Sequence, residues 1–154
     1  MAINAVPEPI IPDSIEPYIG YKAFHVYPID DLFHSTTFPF HWPPQEKAVA
    51  RCGKSRFHDD VSPADGCRCG FYAAPLDYRV PLVSYFDFTQ GVVVRIALWG
   101  KTMMHTGGVR AQFAYPQKIV AWTCPNKKIK RVAKNYGIKV ASVNLGIEWL
   151  RHPT

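Results

Sequence analysis

From residue 91 to 116 the chain reads GVVVRIALWGKTMMHTGGVRAQFAYP, alternating apolar and polar positions on either side of Thr106, Gly107 and Gly108. Two alternating runs around a Gly-rich break predict an antiparallel β-hairpin. Val92, Val94, Ile96, Leu98 and Met104 fall on one face of the first strand, and Val109, Ala111, Phe113 and Tyr115 on one face of the second. Joining these sets requires even-numbered residues opposite odd-numbered ones, which a two- or four-residue loop provides. Arg95, Trp99, Lys101, Arg110 and Gln112 then collect on the other face. IVAW, residues 119–122, reads as a third strand beyond Pro116 and extends the hairpin into a meander.

Upstream, YIGYKAFHVYP (18–28) is rich in aromatic and β-branched residues and fits a first strand ending at Pro28. IDDLFHSTTFPFHWPP carries too many turn residues and prolines for regular structure, so Phe33, Phe38, Phe40 and Trp42 are expected to cap the core as a packed loop. Downstream, NKKIKRVAKNYG predicts a short helix with Asn126 as N-cap and Gly137 as its stop. Ile129, Val132, Ala133 and Tyr136 form its apolar stripe, leaving Lys127, Lys128, Lys130, Arg131 and Lys134 around the exposed side. IKVASVNLGIEWL fits either a last strand or a short packed segment. Pro7, Pro9, Pro12 and Pro17 mark residues 1–17 as a flexible leader, with residues 18–154 forming one domain. The expected fold is a β-rich α+β domain: a compact antiparallel sheet or small barrel with a zinc-braced loop and a short basic C-terminal helix.

Composition sharpens this reading. An apolar share of 47% against 19% charged residues is enough for a folded core, while 14 prolines and 10 glycines weigh against long helices. Neither a basic leader nor a continuous apolar run opens the chain, and Arg95 interrupts its most hydrophobic stretch, so a cytoplasmic protein without membrane association is expected. Net charge is lopsided. Residues 1–87 hold seven Lys/Arg against eleven Asp/Glu, and residues 88–154 hold eleven against one, so −4 and +10 make up the total of +6. A C-terminal half with Glu148 as its one acid generates a positive field that attracts phosphate or an acidic surface.

Chemistry concentrates in CGKSRFHDDVSPADGCRC, residues 52–69. Structural Zn²⁺ takes four ligands, with Cys as thiolate and His as neutral imidazole, and Cys52, His58, Cys67 and Cys69 supply such a set. In Cys67-Arg68-Cys69 the arginine must point away for both sulfurs to face inward. Two competing readings stand beside this one: Cys124 in place of His58, or cysteines that merely pack in the core. A deaminase-type zinc centre needs a His-x-Glu and a Cys-x-x-Cys, and neither is present. No dinucleotide fingerprint, Walker loop or nucleophile elbow occurs either. No residue is assigned a catalytic role.

CRCGFYA (67–73) preceded by Cys52 and His58, IALWG (96–100), GVRAQFAYP (108–116) and the closing YGIKV (136–140) resemble an uncharacterised family of small proteins from actinobacteria and their phages. The resemblance spans roughly residues 20–140 and implies a shared architecture and a phage or mobile-element origin, with no activity to carry over. From the residues themselves, the expected function is non-enzymatic nucleic-acid binding. Lys127, Lys128, Lys130, Arg131 and Lys134 would contact phosphate, with Arg95, Trp99, Lys101 and Arg110 as a second surface on which Trp99 offers a stacking platform. The alternative is a protein-interaction module that binds or inhibits a host protein, with the aromatic loop around Phe38, Phe40 and Trp42 as its anchor or the basic helix as the docking surface for an acidic partner, and a zinc-dependent enzyme comes third.

Overall fold

The computed structural model describes residues 10–11, 16–36, 40–52, 61–75, 90–105 and 107–146. The hairpin forms its spine: β5, Gly91–His105, pairs antiparallel with β6, Gly108–Trp122. His105 opposite Gly108 leaves a two-residue loop, the shorter of the two lengths that the alternation allows, and Met104 faces Val109. That phase does not persist. Register shifts between Trp99 and Thr102, between Arg95 and Ile96 and between Val93 and Val94 re-phase the strands, so Trp99 faces Phe113 and Leu98 faces Ala114. Gly100 enables the first shift, because its φ of +78° suits a bulge and a Cβ there would lie 2.7 Å from the Phe113 ring.

Three expectations change as a result. IVAW is the end of β6 rather than a separate strand, since the second shift lets Pro116, which has no N–H to give, sit within a continuous 15-residue strand. Met104 reaches the hairpin tip 72% exposed instead of joining the core. Trp99 is buried at 7% exposure and packs on Phe113 at 5.9 Å, because Ile96, Ala97, Leu98 and Trp99 are all covered. An indole left on a solvent face would waste the largest apolar surface on the strand.

Each edge of the spine is occupied. β1, Tyr18–His25, runs antiparallel along β5 and carries the short β2, His34–Ser35. The free edge of β6 takes β4, Phe71–Ala73, then β3, Ala48–Val49, and finally β7, Lys139–Val140, the last in parallel. Tyr21 and Ala74 exchange two backbone hydrogen bonds of 2.9 Å, which draw the end of β4 onto β1 and curl the sheet into a half-barrel. Gly108 permits the crossing, for a Cβ there would stand 2.0 Å from the Ala73 carbonyl oxygen.

The concave side is filled by Phe24, Phe33, Trp42, Val92, Val94, Ile96 and Leu98, and by the helix α1, Asn126–Tyr136, through Ile129, Val132, Ala133 and Tyr136. The expected stripe is therefore the buried one, and Gly137 ends the helix. The start differs: Pro125 occupies the cap position with no side-chain cap, because the Asn126 side chain accepts a 2.8 Å hydrogen bond from the Trp122 indole. Of the aromatic loop, Phe33 and Trp42 are buried and Phe40 partly so, while Phe38 lies outside the described residues. Trp42 is thus unavailable as an anchor for a partner. Ile10 and Ile11 pack against the core, which extends into the stretch expected to be a free leader. Among the described residues no helix is long and apolar enough to cross a membrane.

Candidate metal centre

Two short strands on the same edge of β6 bring the cysteines together. Cys52 follows β3, whose pairing is prolonged by the Ala50 N–H donating to Gln112 O at 2.8 Å, and Cys67 and Cys69 lead into β4. The Cys67 N–H closes a turn on Ala64 O at 3.2 Å. The sulfurs of Cys52, Cys67 and Cys69 all lie within 4.8 Å of one another, with Cys52 and Cys67 at 3.5 Å, and all three residues are half-buried. Zinc–sulfur bonds of about 2.3 Å in a tetrahedron separate sulfurs by about 3.8 Å, so the cluster has the dimensions of such a site.

Electrostatics favour the ligand form. The Cys69 backbone N–H, followed by the Cys52 side chain, stabilises the Cys67 thiolate and lowers that group below the ordinary thiol value. Arg110 of β6, directly opposite Tyr72, clamps the loop from beneath: its guanidinium donates to the Cys67 carbonyl and, at 3.0 Å, to the Cys69 carbonyl. The same group lies 5.8 Å from the Tyr72 ring and 3.6 Å from the Met103 sulfur. A dication on three thiolates leaves net negative charge, which the guanidinium is placed to offset. Arg110 was expected on a nucleic-acid surface, but both of these carbonyls, more than forty residues away in sequence, commit it to the cysteine loop.

His58 lies outside the described residues. Cys124 does not join the cluster: it is buried beyond the far end of β6, with its sulfur 3.7 Å from Gly91 O. The all-cysteine alternative therefore fails on geometry.

The cations expected to bind phosphate separate into two groups. Lys127, Lys130 and Lys134 are exposed on α1, as are Arg95 and Lys101 on β5. Lys128 is 7% exposed; its ammonium donates to the Asp30 carbonyl and pairs with Asp31 at 2.8 Å. Arg131, half-exposed, shares that carboxylate at 3.4 Å. Asp31 is held below the usual carboxylate range, chiefly by the Lys128 hydrogen bond. Lys128 thus ties the helix to the aromatic loop and leaves the candidate interface, because a buried ammonium needs a partner more than a solvated face needs charge. The chain matches no family model, no curated protein and no solved structure.

Proposed function

We propose that this protein is a non-enzymatic binding module whose cysteine loop is braced by zinc and whose cationic C-terminal half engages nucleic acid. The convergence of three sulfurs from two separate strand ends within 4.8 Å carries the first part. Cys52, Cys67 and Cys69 would hold the ion as thiolates, with His58 as fourth ligand, and a closed thiolate-rich set is the kind that braces structure rather than activating water. Bound zinc would replace the apolar packing that the loop lacks. Protein purified without a histidine tag should carry about one zinc per chain, lost in Cys67→Ser; less than about a tenth of an equivalent in folded protein would overturn the metal reading.

The second part is supported by the eleven cations and single acid of residues 88–154, of which Lys127, Lys130, Lys134, Arg95 and Lys101 stand exposed. Such a field attracts phosphate at long range with little sequence preference. Protein released from nucleic acid by a high-salt wash should show a falling ultraviolet absorbance ratio, and anisotropy with a labelled strand should detect binding that weakens with salt.

A further inference from the structure

We infer that Cys52 and Cys67 form a reversible disulfide on exposure to a peroxide, and that this bond displaces the ion from the cysteine loop. The inference rests on the zinc reading above and assigns that site a regulation. The Cys52 and Cys67 sulfurs stand 3.5 Å apart, close enough to touch. A disulfide measures about 2.05 Å, so about 1.5 Å of approach completes the bond. The backbone has already brought the two residues together. Cys52 lies just beyond Ala50, whose N–H donates to Gln112 O of β6, and Cys67 lies just before β4, which pairs along the same strand. The turn between the Cys67 N–H and Ala64 O holds the second sulfur from its other side. The sheet thus closes the 15-residue separation before any bond forms, so loop-closure entropy does not oppose the disulfide in the folded chain.

The Cys67 side chain contacts both other cysteines, and Cys52 is the one whose backbone stands on a different strand end. Cys69 is the poorer partner. One Arg110 guanidinium holds the carbonyls of Cys67 and Cys69, the second at 3.0 Å, and closing a ring over Cys67-Arg68-Cys69 would pull that segment off its clamp. In the first step the Cys67 thiolate attacks hydrogen peroxide: an S–O bond forms, the O–O bond breaks, and hydroxide leaves, giving the sulfenic acid. The Cys52 thiolate then attacks that sulfur, so the S–S bond forms, the S–O bond breaks, and a second hydroxide leaves. The two sulfurs together lose two electrons, and one peroxide is reduced to two hydroxides. Neither sulfur of the disulfide keeps the thiolate charge that bound the ion, which is left with Cys69 and the proposed His58, too few ligands for a closed tetrahedron. Because the three cysteines are half-buried, a molecule as small as hydrogen peroxide can reach them. A thiol reductant reverses the change by exchange and returns both thiolates to the metal.

The test is a hydrogen peroxide titration of the zinc-loaded full chain, with a chromogenic chelator reading released metal and intact mass reading the loss of two hydrogen atoms. About one zinc should leave per disulfide formed, and dithiothreitol with added zinc should restore both. Trypsin separates the cysteines into CGK, FHDDVSPADGCR and CGFYAAPLDYR, and the first two peptides should be found joined. Cys69→Ser should lose metal yet form the same crosslink, because the pairing does not use the third sulfur. Cys52→Ser should form none and stop at the sulfenic acid of Cys67, trapped with dimedone. Should Cys52→Ser fold poorly, the peptide map of the wild-type chain decides alone. Zinc that stays bound through excess peroxide, or a crosslink that joins Cys69 in place of Cys52, overturns the switch and keeps the zinc reading. Release that dithiothreitol does not reverse, with sulfinic acid at Cys67 and no crosslink, does the same. Protein that carries no zinc as purified yet joins Cys52 to Cys67 overturns the zinc reading and supports the pairing. Protein that carries no zinc and forms no crosslink overturns both.

Discussion

In the aromatic loop, Phe33 and Trp42 are buried at 0% exposure and pack with Phe24 at ring-centroid distances of 5.1 and 4.9 Å. Among the described residues of the cysteine loop, by contrast, Val61 is exposed, the three thiols stay half-buried, and the buried residues between Cys52 and Cys69 are Ser62, Pro63 and Ala64. The first loop is fastened to the helix as well. Tyr136 donates its hydroxyl hydrogen to the Trp42 carbonyl and accepts from the Phe33 N–H at 2.9 Å, while Tyr115 donates to Tyr136 O at 2.7 Å and accepts from the Gln45 N–H at 2.9 Å. The second loop has the Arg110 clamp and a set of convergent sulfurs. Burial can hold the first loop unaided, whereas the described residues of the second bury little apolar surface against the entropy of ordering it, a shortfall that the proposed ligation would make good.

This contrast can be broken at several points. Trp42→Ala should have the largest effect, about 3–5 kcal/mol through loss of a fully buried indole. Chemical denaturation should show that loss with or without metal; a loss confined to the metal-loaded protein would erase the distinction between the loops. Chelation should come next, lowering stability by about 3 kcal/mol relative to protein in free zinc at roughly a hundredfold above its dissociation constant. Cys67→Ser should abolish that difference in paired thermal melts while Trp42→Ala preserves it.

Tyr136→Phe should cost about 1–3 kcal/mol, because it strands the Phe33 N–H and the Trp42 carbonyl without replacing either partner. Its metal content should remain unchanged, which elemental analysis would check. The smallest effect is a pH slope. Lys22 lies on the concave side of β1, its ammonium 5.9 Å from the Phe24 ring, and burial lowers its pKa to about 8. Between about 8 and the ordinary lysine value the unfolded chain binds more protons than the folded one, so this group makes stability climb as pH rises through that window and contributes no slope below it. Lys22→Met should remove the climb, read as the difference between wild-type and variant melts at successive pH values.

Periodicity made several elements legible without a structure. The alternation of 91–116 around a Gly-rich break specified a hairpin with a two- or four-residue loop, of which the structure has the shorter, and the Ile129, Val132, Ala133, Tyr136 spacing specified the buried stripe of α1. Both are local patterns, readable because side-chain direction repeats with backbone geometry. The cysteine cluster was partly legible too: the spacing of Cys52, Cys67 and Cys69 named the sulfurs, though not the reason they meet. That reason is tertiary, since β3 and β4 both dock on the same edge of β6.

Long-range partners decided the rest. Bulges reset the facing of residues on β5 and placed Trp99 in the core, a shift no alternation pattern encodes because it arises where two strands of unequal curl must stay paired. Lys128 looked like one cation among five until Asp31, 97 residues away in sequence, drew it inward. Arg110 was indistinguishable from a surface arginine until the cysteine loop laid two carbonyls against it. Sequence alone determined which residues could carry apolar surface, charge or a metal; the tertiary structure determined which of them meet, because contact between distant positions depends on the register and curvature of the whole sheet.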